Sequence, residues 1–247
     1  MSSHASLEHP PAAVAAGLSQ VAPPLGVPVR YAFAKGVLDI ALSVLVLLVL
    51  APVMIVVAVA IKLDSRGPVF FIQERWGARR RRVGDWIVHE PVRFRFYKFR
   101  SMVDAADSSV HEAHIAGYLA GDAPNGNGHA RYKLADDRRV TRVGRVIRRL
   151  SLDELPQLFN VLRREMSLVG PRPVPLYEGA YYLEHVPGRF GALPGITGLW
   201  QVSGRCDLSS REMVELDLRY VREQSLGLDA KILLQTLPAV VGGRGAA

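Results

Sequence analysis

The chain has 247 residues, with 31 basic against 23 acidic side chains and a formal net charge of +8. That balance suits nucleic acid, acidic lipid head groups or phosphorylated substrates and does not choose among them. A single cysteine, Cys206, excludes an internal disulfide and a cysteine-rich zinc site and fits a reducing compartment.

Residues 1–30 are rich in Ala, Pro, Ser and His and predict a flexible tail. A helix is expected from Tyr31 to about Leu63. Within it, Ala41 to Ile61 are 21 consecutive residues without a charge. As a straight helix they would run about 31 Å, close to the roughly 30 Å of a bilayer core. A soluble core helix rarely lacks a polar stripe. The stretch is too long for the apolar part of a cleavable leader, and the residues before it are not basic-rich. Pro52, in the middle, removes a helix hydrogen bond and clashes with the preceding turn. The segment is therefore either a kinked spanning helix or two half-helices that enter and leave on one face. Arg30 and Lys35 precede it and Lys62, Arg66 and Arg75 follow. Cations on both flanks agree with a same-side hairpin, but the residues alone leave both topologies open.

Asp64 to Pro68 form a turn cluster and Val69 to Ile72 a short strand. Residues 75–100 hold nine Lys or Arg, including the run Arg79 to Arg82, for which no role is assigned; residues 131–149 hold eight. Beside an apolar anchor such blocks suit anionic lipid. A surface helix is expected over residues 104–120. In it, His111-Glu112-Ala113-His114 is one residue short of the zinc motif H-E-x-x-H and reads as a solvated face. Residues 121–130 are a loop. Helical periodicity marks Val143 to Leu150 and Asp153 to Met166. Gly170 to Pro173 is a break, Leu193 to Gly198 a turn and Leu199 to Val202 a short strand. Helices over Ser210 to Glu223 and Leu228 to Val241 close the chain. The last one aligns Leu228, Ile232, Leu233, Leu237 and Val240, for core packing in preference to a membrane interface.

There is no phosphate-binding G-x-x-x-x-G-K-[ST] loop, dinucleotide fingerprint or serine elbow. The sharpest local feature is Ser151-Leu152-Asp153-Glu154. It matches a capping box, with Asp placed to suit the helix dipole. The same residues suit phosphoryl chemistry. A helix start can hold phosphate, a carboxylate there can attack phosphorus, and its neighbour can hold Mg²⁺. Arg148 and Arg172 are candidates to neutralise phosphate oxygens.

The order of five segments resembles the bacterial sugar transferase family, the monotopic polyprenol-phosphate phosphoglycosyl transferases, from about Lys35 to Arg244. They are Gly67-Pro68-Val69-Phe70-Phe71, Tyr97-Lys98-Phe99-Arg100-Ser101-Met102, Ser151-Leu152-Asp153-Glu154-Leu155-Pro156-Gln157, Met166 through Pro173, and Pro194 through Arg205. The resemblance implies an α+β, mainly helical fold. Its re-entrant membrane helix over residues 31–64 breaks at Pro52. A compact catalytic domain over residues 65–247 follows, on the cytoplasmic face of the bacterial inner membrane, with interfacial amphipathic helices and short strands. It implies that Asp153 is the nucleophile on a UDP-sugar, forming a covalent phosphosugar and releasing UMP, and that Glu154 is its partner and holds Mg²⁺. Lys98, Arg148, Arg172 and Arg205 are implied to bind phosphate or substrate. The acceptor would be undecaprenyl phosphate, the transferred group glucose- or galactose-1-phosphate with an N-acetylhexosamine open, and the product the first lipid-linked unit of an exopolysaccharide, capsule or O-antigen. Membrane lipids are expected partners, a homodimer is compatible with interfacial helices, and nucleic acid is not expected. Departures are Lys35-Gly36-Val37-Leu38-Asp39, which lacks the family's arginine after lysine, and Ala51-Pro52 in place of Ser-Pro. The chain reads as a short form. Two other readings are a non-catalytic scaffold, which would not need the Asp153-Glu154 pair, and a membrane-tethered nucleic-acid binder, which rests on charge alone.

Overall fold

The structure, a computed structural model, describes residues 26–104, 109–120, 137–204 and 208–241. The expected loop at residues 121–130, Arg205, Cys206 and most of the expected tail lie outside them. The tail does not reach residue 30. Val27–Pro28 form strand β1, and Val29–Asp64 form one 36-residue helix, α1.

Helix α1 is long and apolar enough to cross a membrane, and only 11% of its most apolar stretch is buried. Leu48, Val49, Ile55 and Val56 all face outward, so it is not the core helix of a soluble protein. Pro52 lies inside it. Its first part is bonded to the body of the protein. Lys35 Nζ is 2.8 Å from Asp229 Oδ2, both buried. Asp39 Oδ2 accepts from Ser167 Oγ at 2.8 Å, and Asp39 Oδ1 from the Leu168 amide at 3.2 Å. Its last turns return to the same body. Val57 and Ile61 pack with Phe99 and Ile147, and Asp64 Oδ2 accepts from the Val143 amide at 3.0 Å.

The expected short strand at Val69 is the start of a long hairpin. Strands β2 (Phe70–Val83) and β3 (Trp86–Phe99) have 14 residues each and pair antiparallel from Phe70↔Phe99 to Val83↔Trp86. The connection is Gly84-Asp85, with Gly84 at φ +60°, where glycine escapes the Cβ penalty of a two-residue hairpin turn. The Arg79–Arg82 run sits in β2 near this turn, and Arg79 and Arg81 pair with Glu90 across the ladder. Strand β1 extends the sheet beside β3, and β5 (Val174–Pro175) extends it beside β2.

Helix α2 (Ser109–Ala120) follows, then α3 (Arg142–Arg149), capped by Thr141 Oγ1, which accepts from the Gly144 amide at 2.9 Å. The continuous helix expected from Asp153 to Met166 is instead a 3₁₀ turn, Leu152–Glu154, and a short α4, Gln157–Leu162. The chain then turns at Arg164, φ +61°, into β4 (Ser167–Val169). Helix α5 (Leu176–His185) and a 3₁₀ turn, Pro187–Phe190, lead to β6 (Gly195–Thr197), which pairs parallel with β4. The expected turn at Leu193–Gly198 instead contains the strand Gly195–Thr197, and the expected strand at Leu199–Val202 is helix α6, Leu199–Ser203. The reason is nonlocal, because β6 exists only where β4 supplies hydrogen-bond partners. Helices α7 (Ser210–Glu223) and α8 (Leu226–Val241) follow expectation. On α8, Ile232 is fully buried and Leu228 and Leu233 pack on the main core, so packing claims that face; the side chains of Leu237 and Val240 lie outside the described set. The core joins Phe94 and Phe96 of β3 to Leu158, Val161, Met166, Tyr220 and Ile232.

Candidate functional site

Side chains in a strand alternate between faces. In the register observed, Phe71, Gln73 and Arg75 of β2 lie opposite Lys98, Phe96 and Phe94 of β3, so all six share one face. Lys98 Nζ lies over the Phe71 ring at 4.9 Å, and the Arg75 guanidinium lies 3.9 Å from the Phe96 ring centre. Cations over aromatic faces are held in place by the ring quadrupole. Arg75 is buried, and its Nη1 donates to the Pro173 carbonyl at 2.9 Å. Asn160, fully buried in α4, holds the hairpin to the segment carrying Asp153. Its Nδ2 donates to the Arg95 carbonyl at 2.6 Å, and its Oδ1 accepts from the Tyr97 amide at 3.2 Å.

The capping box expected at Ser151 does not form. Ser151 is left-handed, φ 55°, with no side-chain cap bond. A capping residue needs extended backbone so that its oxygen can reach the N3 amide. The capping box among these helices is Ser209 with Glu212, at the start of α7. Asp153 is buried in the 3₁₀ turn. Glu154 Oε1 accepts from Arg172 Nη1 at 3.4 Å.

Arg172 follows β4 in the segment Gly170–Pro173. Gly170 lies so close to β6 that a Cβ there would sit 2.1 Å from the Leu193 carbonyl oxygen. The Gly170 amide donates to the Thr197 carbonyl at 2.9 Å. The Arg172 carbonyl itself accepts from Arg189 Nη2 at 2.9 Å. These contacts fix the backbone from which the Arg172 side chain projects.

Lys98 reports how close these groups come. Burial pushes its ammonium down to about 8, the cations Arg75, Arg148 and Arg172 push the same way, and the Asp153 carboxylate opposes them. Four predicted residues, Lys98, Arg148, Asp153 and Arg172, therefore share one field, with Glu154 on Arg172. Such crowding of cations is costly unless an anion is meant to sit among them. Arg75 belongs to the same field and was not among the predicted residues. Once Gly84-Asp85 is taken as a two-residue turn, counting back along both strands puts Arg75 on the Lys98 face. Arg205 lies outside the described residues, and Pro52 is in α1, away from this cluster in sequence and element.

No group of three or more His, Cys, Asp or Glu side chains able to hold a metal occurs among the described residues. Adjacent Asp153 and Glu154 do not make an all-protein cage. They fit a hard cation such as Mg²⁺, which completes its shell with substrate phosphate and water.

Residues 30–243 match the family described as bacterial sugar transferase. The chain is 38% identical over 207 residues to the exopolysaccharide production protein ExoY of Sinorhizobium fredii, covering 84% of this chain and 85% of that one. It is 44% identical over 223 residues to the undecaprenyl-phosphate glucose phosphotransferase of Komagataeibacter xylinus, covering 86% of this chain but 36% of the relative. It is 40% identical over 215 residues to the undecaprenyl-phosphate galactose phosphotransferase of Salmonella typhimurium, covering 87% and 42% respectively. The chain thus spans most of the first relative and less than half of the other two. With an apolar helix on a body that gathers one carboxylate pair among four cations, and with the match running nearly end to end, the chain belongs to the bacterial sugar transferase family.

Proposed function

We propose that this protein is a membrane-bound phosphoglycosyl transferase that moves hexose-1-phosphate from a UDP-sugar to undecaprenyl phosphate. The observation that carries this reading is that Lys98, on the face it shares with Arg75, lies in the field of the Asp153 carboxylate and of Arg75, Arg148 and Arg172, with Arg172 paired to Glu154. The diphosphate of a UDP-sugar, esterified at both ends, carries a negative charge on each phosphate, and the four cations offset these charges together with that of the buried Asp153 carboxylate. An Asp153 oxygen attacks the β-phosphorus of the donor, the bond to the bridging oxygen breaks, and UMP leaves with the electron pair. An oxygen of undecaprenyl phosphate then attacks the same phosphorus and releases Asp153, giving a lipid diphosphate sugar. Lys98, Arg148 and Arg172 hold phosphate oxygens, Arg172 with the bidentate reach of a guanidinium. Glu154 would hold Mg²⁺, which supplies charge neutralisation at the phosphates. The arrangement favours an enzyme over a scaffold, because docking needs no buried carboxylate among cations.

The anchoring of α1 supports a re-entrant membrane topology. Its early residues Lys35 and Asp39 and its late residues Ile61 and Asp64 bind one compact body. A helix crossing the bilayer would separate them by the membrane, so we infer a re-entrant insertion centred on Pro52, with the body on the cytoplasmic face. Helix α3 suits the interface, carrying exposed Val146 beside Arg142, Arg145 and Arg149. The name of one relative, an exopolysaccharide production protein, supports a place for the lipid-linked product in exopolysaccharide assembly.

The test is to incubate purified protein in nanodiscs with Mg²⁺ and labelled UDP-glucose or UDP-galactose, without acceptor lipid, and to weigh the intact protein. One hexose phosphate per chain is expected, with one equivalent of UMP, and Asp153→Asn should carry none. Transfer to added undecaprenyl phosphate with no adduct at any time would sink the two-step mechanism.

A further inference from the structure

Behind Arg172 lies a narrow cleft bounded by Arg172, Glu178, Tyr182, Arg189, Trp200 and Asp217. It has room for about one water-sized group. Asp217, on α7, is 1% exposed. Its Oδ2 accepts from Arg189 Nε at 2.8 Å, so the pair is ionic. Its Oδ1 is buried and has no hydrogen-bond partner among the described residues. The same Arg189 donates through Nη2 to the Arg172 carbonyl, so this half-used carboxylate shares its cleft with the residue whose guanidinium is assigned to the donor's phosphate.

A buried carboxylate oxygen with nothing to accept from costs free energy that a working state should recover. An acceptor-only oxygen needs a donor, and the opening admits one small group. A sugar attached to a phosphate at Arg172 has hydroxyls within a few ångströms of that phosphate. Each is a donor of the right size. Resting on the phosphoglycosyl-transfer reading above, we propose that Asp217 is a specificity-determining residue whose Oδ1 accepts a hydrogen bond from one hydroxyl of the donor hexose. The rest of the ring stays outside the cleft, on the Arg172 side. In these low-dielectric surroundings such a bond discriminates strongly, since an analogue without the donor leaves the carboxylate unpaired.

The test uses the full chain in nanodiscs with undecaprenyl phosphate and Mg²⁺. Rates are compared for the preferred UDP-hexose and its 2-, 3-, 4- and 6-deoxyfluoro forms. Fluorine accepts but does not donate, and bond breaking at phosphorus leaves the ring carbons untouched. One position should lose at least about tenfold in kcat/KM in the wild type. In Asp217→Asn the amide oxygen is drawn to Arg189, so the NH₂ faces the cleft. That variant should tolerate fluorine at the same position, within about threefold of its own parent donor, and keep the wild-type pattern at the others. If that variant does not fold, Met213→Leu, which reshapes the cleft wall and leaves the ion pair, should change discrimination at that position alone. Equal tolerance of all four analogues by the wild type means that the cleft holds water only, and overturns the proposal. So does discrimination that persists unchanged in the folded variant. Absence of transfer from every unmodified UDP-hexose and UDP-N-acetylhexosamine is a different failure, which overturns the underlying reading together with this one.

Discussion

Lys98 is where single-residue chemistry is most exposed to test. In the unfolded chain a lysine titrates at about 10.5; here burial and three neighbouring arginines bring it down to about 8. The sign follows directly. Between these two values the unfolded state binds more protons than the folded one, so Lys98 makes stability rise with pH across that window. Below about 8 both states are charged and its cost is constant. Donor binding runs the opposite way, because phosphate needs the ammonium. We expect kcat/KM for the nucleotide sugar to fall above pH 8, tenfold per unit at the limit, when measured on free enzyme. Lys98→Arg should remove that limb while lowering activity at neutral pH by about tenfold. A profile that keeps the limb in the variant would assign it elsewhere. At Arg172, exchange to lysine keeps the charge but loses the fork held beside Glu154. A fall of about ten- to a hundredfold in kcat/KM is expected, read from initial rates. Lys98, Asp153, Glu154 and Arg172 stand in the ordered motifs, and Arg148 was legible from its place five residues before Asp153. Arg75 was not, because its place depends on which residue of β3 it faces.

Among the elements, β4, β6 and the Gly170–Pro173 segment set the site. Gly170→Ala would place a methyl 2.1 Å from the Leu193 oxygen, and backbone there cannot yield without moving Arg172. A loss of about 1–3 kcal/mol in stability is expected, checked by thermal unfolding in detergent, together with a fall in transfer rate. Unaltered kinetics at reduced stability would show that the segment moves without carrying Arg172 along. The long hairpin is the element that local pattern obscured most. Four successive arginines in β2 and Glu90 in β3 break the apolar alternation that marks a strand, and only the pairing of the two strands organises them. The Ser151 motif failed in the opposite sense: its letters are those of a capping box, but the backbone is left-handed, so a favourable local pattern lost to the placement of Asp153.

For the whole molecule, the joint between α1 and the body matters most. Lys35→Ala would strand Asp229 beside Tyr220 in the interior, at a cost of about 3–5 kcal/mol; the expected result is lost solubility in mild detergent and a lower unfolding temperature. Topology can be read separately. In a Cys206→Ser background, Arg30→Cys lies in the first turn of α1 and Arg66→Cys just past its end. A membrane-impermeant maleimide applied outside intact cells should label neither, and labelling of one alone would mean that the helix spans. The long apolar helix, the family and the residue types of the candidate site were readable without coordinates, because an uncharged run of 21 residues and five ordered motifs are local properties of the chain. Strand register, the Ser151 backbone, the inclusion of Arg75 and the orphaned oxygen of Asp217 were decided only in three dimensions. Each depends on partners distant in the chain, whose hydrogen bonds and burial outweigh the weaker preferences of neighbouring residues.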